Sequence, residues 1–405
     1  MFEFPPVRRE AGPEPVDLGA VAPGWQPIVA RDLRPVGFRV ALRAAEAAAP
    51  LAQVLDGVLG GFAGEATSFP HGLVVLAPLD QLPDESLTRW AAPRNVLLEV
   101  AQHAIGDAER LKLLFEVQRQ GVRLVLRVTD RATIARERLP LFQYLAVDAA
   151  QTTAPPRETA LLALQPQSRA AVAGAFADGA HAVVGWPLGE TAVDATGQLQ
   201  PMQKAVLELI RLVQSDADGR QLERAFKAEP VLSYMLLTLA NSPAFARSTP
   251  IASIGQAISL LGYQRLLKWL VLLMVVASKQ SKALALVYVA VARGFFMENL
   301  AAAAGAKVEV RDECFVVGAF SLLDKITGRT AAELVGDVPL PQTIAAALVE
   351  ASGPYAPHLR LAQALEAADP EAVDALAAQL QLARADVNRA LLQALAATDA
   401  LQSAV

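Results

Sequence analysis

At 405 residues the chain is longer than a single ordinary core, and the expected organisation is two or three folding units. Hydrophobic residues make up 53% and charged residues only 19%, which excludes an intrinsically disordered chain. The formal net charge is −5 with both signs interspersed, and without a basic patch or tail nothing points to a nucleic-acid or anionic-membrane surface.

The lone cysteine, Cys314, excludes an intrachain disulfide and a cysteine-ligated zinc site. It lies in the apolar run Cys-Phe-Val-Val-Gly, reads as a buried small hydrophobe, and fits a reducing cytoplasm. The N-terminus has no apolar stretch behind a basic start, so it does not read as a signal peptide. The most membrane-like run, Trp269 to Ala277, is shorter than the roughly 20 residues a spanning helix needs.

In chain order, residues 1–21 are rich in Pro, Glu and Gly and read as a flexible arm. Strands are expected at 25–31, 35–42, 72–77, 95–100, 121–128, 143–148, 160–165 and 180–185. They are Val- and Leu-rich with little polar alternation, as in strands covered on both faces. Helical stretches at 44–61, 84–92, 103–120 and 168–178 separate several of them, so a parallel sheet closed into a barrel is expected over 22–190. The first two strands differ, because Asp32-Leu33-Arg34-Pro35 is too short for a crossover and predicts an antiparallel hairpin. Between Asp148 and Ala160 the connection contains Pro155-Pro156 and is too short and too Pro-rich for a helix, so the barrel is expected to be eroded there.

Residues 191–201 carry no periodicity and read as a linker, and 202–405 read as an α-helical domain. Ser253-Ile-Gly-Gln256 and Thr330-Ala-Ala-Glu333 are capping-box patterns, with Gly262 placed to close the helix that the first opens. Asp369-Pro370 is an N-cap followed by proline at the first helical position. The stretch Ala283 to Ala304 is apolar on nearly every face and predicts a central buried helix.

Two sets of motifs carry a resemblance. Trp25-Gln-Pro-Ile-Val29 followed by Gly37-Phe-Arg-Val40-Ala-Leu-Arg43 resembles the opening of the EAL family of cyclic-di-GMP phosphodiesterases, which reads Gln-Pro-Ile and then Gly-Phe-Glu-Ala-Leu-x-Arg. Asn95 to Gln102, Gly121 to Val128, Tyr144 to Asp148 and Val184-Gly185-Trp186 resemble that family's later strands. Leu239-Ala-Asn241-Ser242-Pro-Ala-Phe245, then Pro250 to Gly262, then Phe315 to Asp324, resembles the HDOD family, a helical relative of HD phosphohydrolases. The resemblance runs over about residues 22 to 350 and implies an eroded EAL-type barrel followed by an HDOD domain.

An EAL phosphodiesterase holds two divalent metals on hard oxygen ligands, and apolar residues cannot replace these. Aligned on the motifs, the motif glutamate is Val40, the third-strand asparagine is near Leu76, and the Asp-Asp pair is Arg127-Val128. The catalytic lysine is Ala146, the late glutamate Leu164, and the glutamine before Gly185 is Val184. Glu99 and Asp148 remain, with Gln26 and Arg43 at nucleotide-contacting places. Glu99 reads as a catalytic remnant or as an interior carboxylate bridged to Arg127, and Arg43 as a phosphate grip or the partner of a nearby acid.

An HD metal site needs several histidines and a His-Asp pair. The chain has His71, His103, His181 and His358 and no His-Asp dipeptide. Phosphate-loop, nucleophile-elbow and dinucleotide signatures are also missing. The expectation is a cytoplasmic, non-catalytic bacterial signalling protein with no cofactor and no membrane span, working through partner proteins still to be identified. The alternative is a cyclic-di-GMP receptor that does not hydrolyse its ligand, and a second alternative is an active phosphodiesterase.

Overall fold

The computed structural model describes residues 18–44, 49–64, 69–130, 136–151, 159–192, 201–215, 217–241, 251, 253–276, 283–337 and 340–403. Eight strands close into a barrel in sequence order: β1 Val21–Ala30, β2 Pro35–Ala44, β3 Leu73–Pro78, β4 Val96–Ala101, β5 Arg123–Arg127, β6 Tyr144–Asp148, β7 Ala160–Leu164 and β8 Ala182–Val184. β1 runs antiparallel to both β2 and β8, and every other pairing is parallel. The hairpin follows from the short Asp32–Arg34 turn, where Leu33 takes a left-handed backbone (φ 66°).

The outer layer is incomplete. Helices α1 (Leu51–Gly61), α2 (Ala108–Arg119) and α3 (Arg169–Ala177) cover their crossovers. The β3–β4 link carries only the short 3-10 turn Glu85–Arg89, and the β5–β6 link carries Arg136–Leu141. After β6 a 3-10 turn, Ala149–Gln151, is followed by 152–158, outside the described residues. The shortening expected at this link leaves the sheet intact, because β6 and β7 pair from Tyr144–Ala160 to Asp148–Leu164. Among the described residues the β3–β4 and β5–β6 links carry 3-10 turns in place of longer helices, while the barrel wall itself is closed.

The helical half runs α4 Pro201–Gln214, α5 Gly219–Lys227, α6 Pro230–Ala240, α7 Ile254–Val276, α8 Leu284–Ala303, α9 Val308–Phe320, α10 Leu323–Thr327, α11 Ala331–Asp337, α12 Gln342–Val349, α13 Ala356–Ala367, α14 Pro370–Gln379 and α15 Arg384–Ser403. The expected caps form: Gln256 N donates to Ser253 Oγ (3.2 Å), Glu333 and Thr330 bond reciprocally, and Asp369 accepts from Ala372 N (3.1 Å). Gly262 interrupts α7 with φ 69°. Helix α8 is long and apolar enough to cross a membrane, and 78% of its most apolar window is buried inside the fold.

The helical half supplies the outer layer that β1 and β2 otherwise lack. Helices α8, α13 and α15 pack on β1, and α15 also packs on α1. Trp25 of β1 meets Tyr288 of α8 with ring centroids 6.3 Å apart. Asn388 Nδ2 donates to Leu18 O (2.6 Å) and Val21 O (2.7 Å), pinning the start of β1 under α15. Gly24 is required at its position, since a Cβ there would lie 2.5 Å from Ala368 Cβ at the α13–α14 turn.

A second polar joint is Asp399 of α15. It is 4% exposed, and its carboxylate accepts from His71 N (2.7 Å) and from Gly72 N (3.1 and 3.2 Å), just before β3. Gly72 leaves room for this, because a Cβ would sit 2.3 Å from Asp399 Oδ1. Asp399→Ala leaves two half-buried backbone N–H donors without their acceptor, and an expected loss of about 1–2 kcal/mol of stability should appear in urea denaturation; unchanged stability would show that the joint carries no load.

Candidate functional site

Side chains of alternate residues along each strand point into the barrel. Ile28, Val75, Leu97, Val125, Ala146, Leu162, Leu164, Ala182 and Val184 form an apolar cluster separate from the main core. This parity fixes which neighbouring positions face inward: Gln26 on β1, Arg39 on β2, Ala77 on β3, Glu99 on β4, Arg127 on β5 and Asp148 on β6, whereas Arg43, beyond the last β2–β3 pairing, lies beside Gly24, Ala368 and Pro370.

Within this set lies a buried charge cluster. Arg39 and Glu99 are each 4% exposed and form a two-pronged pair, with Nε to Oε2 and Nη2 to Oε1 both at 2.7 Å. Arg127 approaches from the more exposed side, its Nη1 3.6 Å from Glu99 Oε1. The pair spans from β2 to β4 across β3, whose inward positions Val75 and Ala77 carry no polar side-chain atom. Burial alone would raise the Glu99 pKa, but the charge and hydrogen bonds of Arg39, then Arg127, outweigh it and hold the carboxyl below its ordinary range. Burial would likewise lower the Arg39 pKa, and Glu99 reverses this and raises it.

Two sequence expectations need correction. Val40, aligned with the motif glutamate, and Leu76, aligned with the asparagine, belong to the outer core that packs against the helices. Counted from Gly37-Phe38, the glutamate's place is that of Arg39, and the inward residues of β3 are Val75 and Ala77. Arg39 is the residue that the motif reading missed. Its signal was a cation flanked by the apolar residues Phe38 and Val40, which must be paired if buried.

The four candidate residues do not converge. Glu99 is bound up with Arg39 and Arg127. Gln26 lies against Gly185, and its buried Oε1 has no hydrogen-bond partner among the described residues. Arg43 is 46% exposed with Nη1 3.8 Å from Asp80 Oδ1, which makes it the partner of a nearby acid. Asp148 is exposed at the end of β6, where Oδ1 accepts from Ala150 N (2.8 Å). β2 and β6 stand four strands apart in a ring of eight, so Arg43 and Asp148 are on opposite sides of the barrel.

These residues do not fit a two-metal centre. Ala77, Ala146, Leu164 and Val184 offer no oxygen donor, Glu99 already has both oxygens on guanidinium nitrogens, and Arg127 adds a positive charge. Among the described residues no group of three or more His, Cys, Asp or Glu side chains is placed to hold a metal ion.

In the helical half, Cys314 is fully buried, and its thiol is pushed up to about 12 by burial and then by the charges of Glu313 and Glu298. Asn241 ends α6, donates to Leu237 O and Ile251 O (both 2.9 Å) and accepts from Ile251 N (2.7 Å); Ser242 and Pro243 lie outside the described residues. Residues 199–331 match the HDOD domain family model. The helical half holds an HDOD domain.

The chain is 28% identical over 197 residues to the cyclic di-GMP phosphodiesterase CdgJ of Vibrio cholerae serotype O1. That stretch is 48% of this chain and 45% of the relative, so the match spans about half the length of each. Among solved structures, the Bacillus subtilis YkuI protein, with an EAL domain and in complex with substrate c-di-GMP and calcium, shares 17% identity at a TM-score of 0.31, covering 62% of this chain and 74% of that one. Klebsiella pneumoniae BlrP1 in a manganese and cyclic-di-GMP complex shares 15% identity at a TM-score of 0.30, covering 42% of this chain and 55% of that one.

The ion pair predicts a definite stability pattern. Glu99→Gln leaves Arg39 buried without its counter-charge and should cost about 3–5 kcal/mol, whereas Arg39→Met with Glu99→Leu should recover most of that loss. Because the folded pKa of Glu99 is depressed, its contribution is complete above the unfolded value near about 4.3 and is lost as pH falls through the lower folded value. Urea denaturation from pH 7 to pH 3 should show wild type losing stability more steeply than the double variant. Equal slopes, or a double variant as unstable as Glu99→Gln, would contradict this assignment.

Proposed function

We propose that the chain is a non-catalytic signalling protein in which an EAL-type barrel, residues 22–190, and an HDOD-containing half, residues 202–405, are joined across 191–201 and act by contacting partner proteins. The observation that carries this reading is the buried Arg39–Glu99 pair with Arg127 beside it. It fills with fixed, mutually satisfied charge the space in which a two-metal phosphodiesterase would activate water. The EAL motifs of the sequence and the resemblance to a cyclic-di-GMP phosphodiesterase support the signalling context. The single cysteine supports a cytoplasmic setting.

A second reading, a receptor that binds cyclic-di-GMP without cutting it, draws on Arg43 and Arg127. Both keep solvent access, at 46% and 35% side-chain exposure. Gln26 adds a buried amide oxygen with no partner among the described residues. Two measurements separate the readings. Incubation with cyclic-di-GMP and Mn²⁺ is expected to yield no linear dinucleotide, and accumulation of that product would overturn both. Calorimetry with cyclic-di-GMP should give no binding heat if partner proteins are the ligands. Saturable heat at micromolar concentration, weakened in Arg43→Ala, would replace the scaffold reading with the receptor.

A further inference from the structure

A cavity of about 80 Å³, partly open to solvent, is lined among the described residues by the helical half alone. It does not involve the barrel lumen, and nothing in the proposed function uses it. Leu207 of α4, Met274 of α7 and Leu334 and Val335 of α11 give it apolar walls. Leu207, Met274 and Leu334 are themselves at most 7% exposed, so the space lies among packed core residues and is not a surface dimple.

Two polar side chains reach the lining, Ser321 and Asp324. Ser321 donates its hydroxyl hydrogen to Gly318 O (2.7 Å) and accepts from Arg293 Nη1 (2.9 Å). What it offers a ligand is therefore an acceptor lone pair. Asp324 is acceptor-only when ionised. The cation behind Ser321 does not attract an anion, because Arg293 places Nε and Nη2 on the two oxygens of Glu366, each at 2.7 Å. Lys325, whose side chain is 34% exposed, sits 3.0 Å from Asp324 Oδ2, a partly exposed pair that a ligand cation can displace. The polar edge thus presents acceptors and negative charge to an apolar space, the complement of an apolar body with a donating, protonated head.

We propose that this cavity is a binding site for a small amphiphilic amine, with its apolar body between α4, α7 and α11 and its ammonium group on Asp324 and Ser321. The site stands independently of the barrel reading. The probes are octylamine, octanol and octanoate, titrated by calorimetry into the full chain at neutral pH.

Octylamine is expected to bind saturably and about tenfold or more tighter than octanoate, the difference of one charge-assisted hydrogen bond, with octanol between them. Asp324→Asn keeps the shape of the site and should bring octylamine down to the octanol value. Leu334→Trp should fill the cavity and abolish binding of all three probes. Ala331→Leu gives a gentler filling to be used if the tryptophan variant unfolds. Octanoate binding as tightly as octylamine, unchanged octylamine binding in Asp324→Asn, undiminished binding in the filled variants, or no saturable binding of any probe would each overturn the proposal.

Discussion

Taking one carboxylate and one guanidinium out of water is costly, and in the barrel that cost is met only because each is the other's partner. Arg39 and Glu99 bond at both ends, so neither can be released to a ligand or a metal without stranding the other in an apolar lumen. This constraint decides the rest of the site. Arg127 is drawn to the same carboxylate, the remaining inward positions are aliphatic, and the polar candidates Gln26, Arg43 and Asp148 are left apart around the ring. A buried pair of this kind is weak evidence for added stability, but it does fix a single arrangement of the barrel interior.

The outside of the barrel is sparsely covered by its own crossovers. With crossovers reduced to 3-10 turns at the β3–β4 and β5–β6 links, the barrel does not carry a full helical layer of its own among the described residues. The β1–β2 hairpin is instead covered by α8, α13 and α15, and the close approaches at Gly24 and Gly72 show how tightly that cover fits. Part of the barrel's outer wall is therefore supplied by the helical half, which packs directly on β1.

Much of this was legible in sequence. The eight apolar runs, the short turn that reverses β1, the capping boxes at Ser253 and Thr330, and the all-round apolar helix α8 are local signals, and local chemistry places them. The site was legible only in part. The identity of Glu99 as an interior ion pair could be read, but its main partner could not, because matching residue names slid the alignment by one and a one-residue slip turns a side chain to the opposite face. The docking of the two halves was beyond reach, since Asp399 and Gly72 lie 327 residues apart and neither is unusual in its own neighbourhood.

The central claim is that Arg39, Glu99 and Arg127 occupy what would otherwise be a metal centre. Its most direct test is the electron paramagnetic resonance signal of Mn²⁺ titrated into the full chain. The free-ion signal should rise in direct proportion to added metal, as in buffer. Loss of one or two equivalents of signal before that rise, abolished by Glu99→Gln, would contradict it.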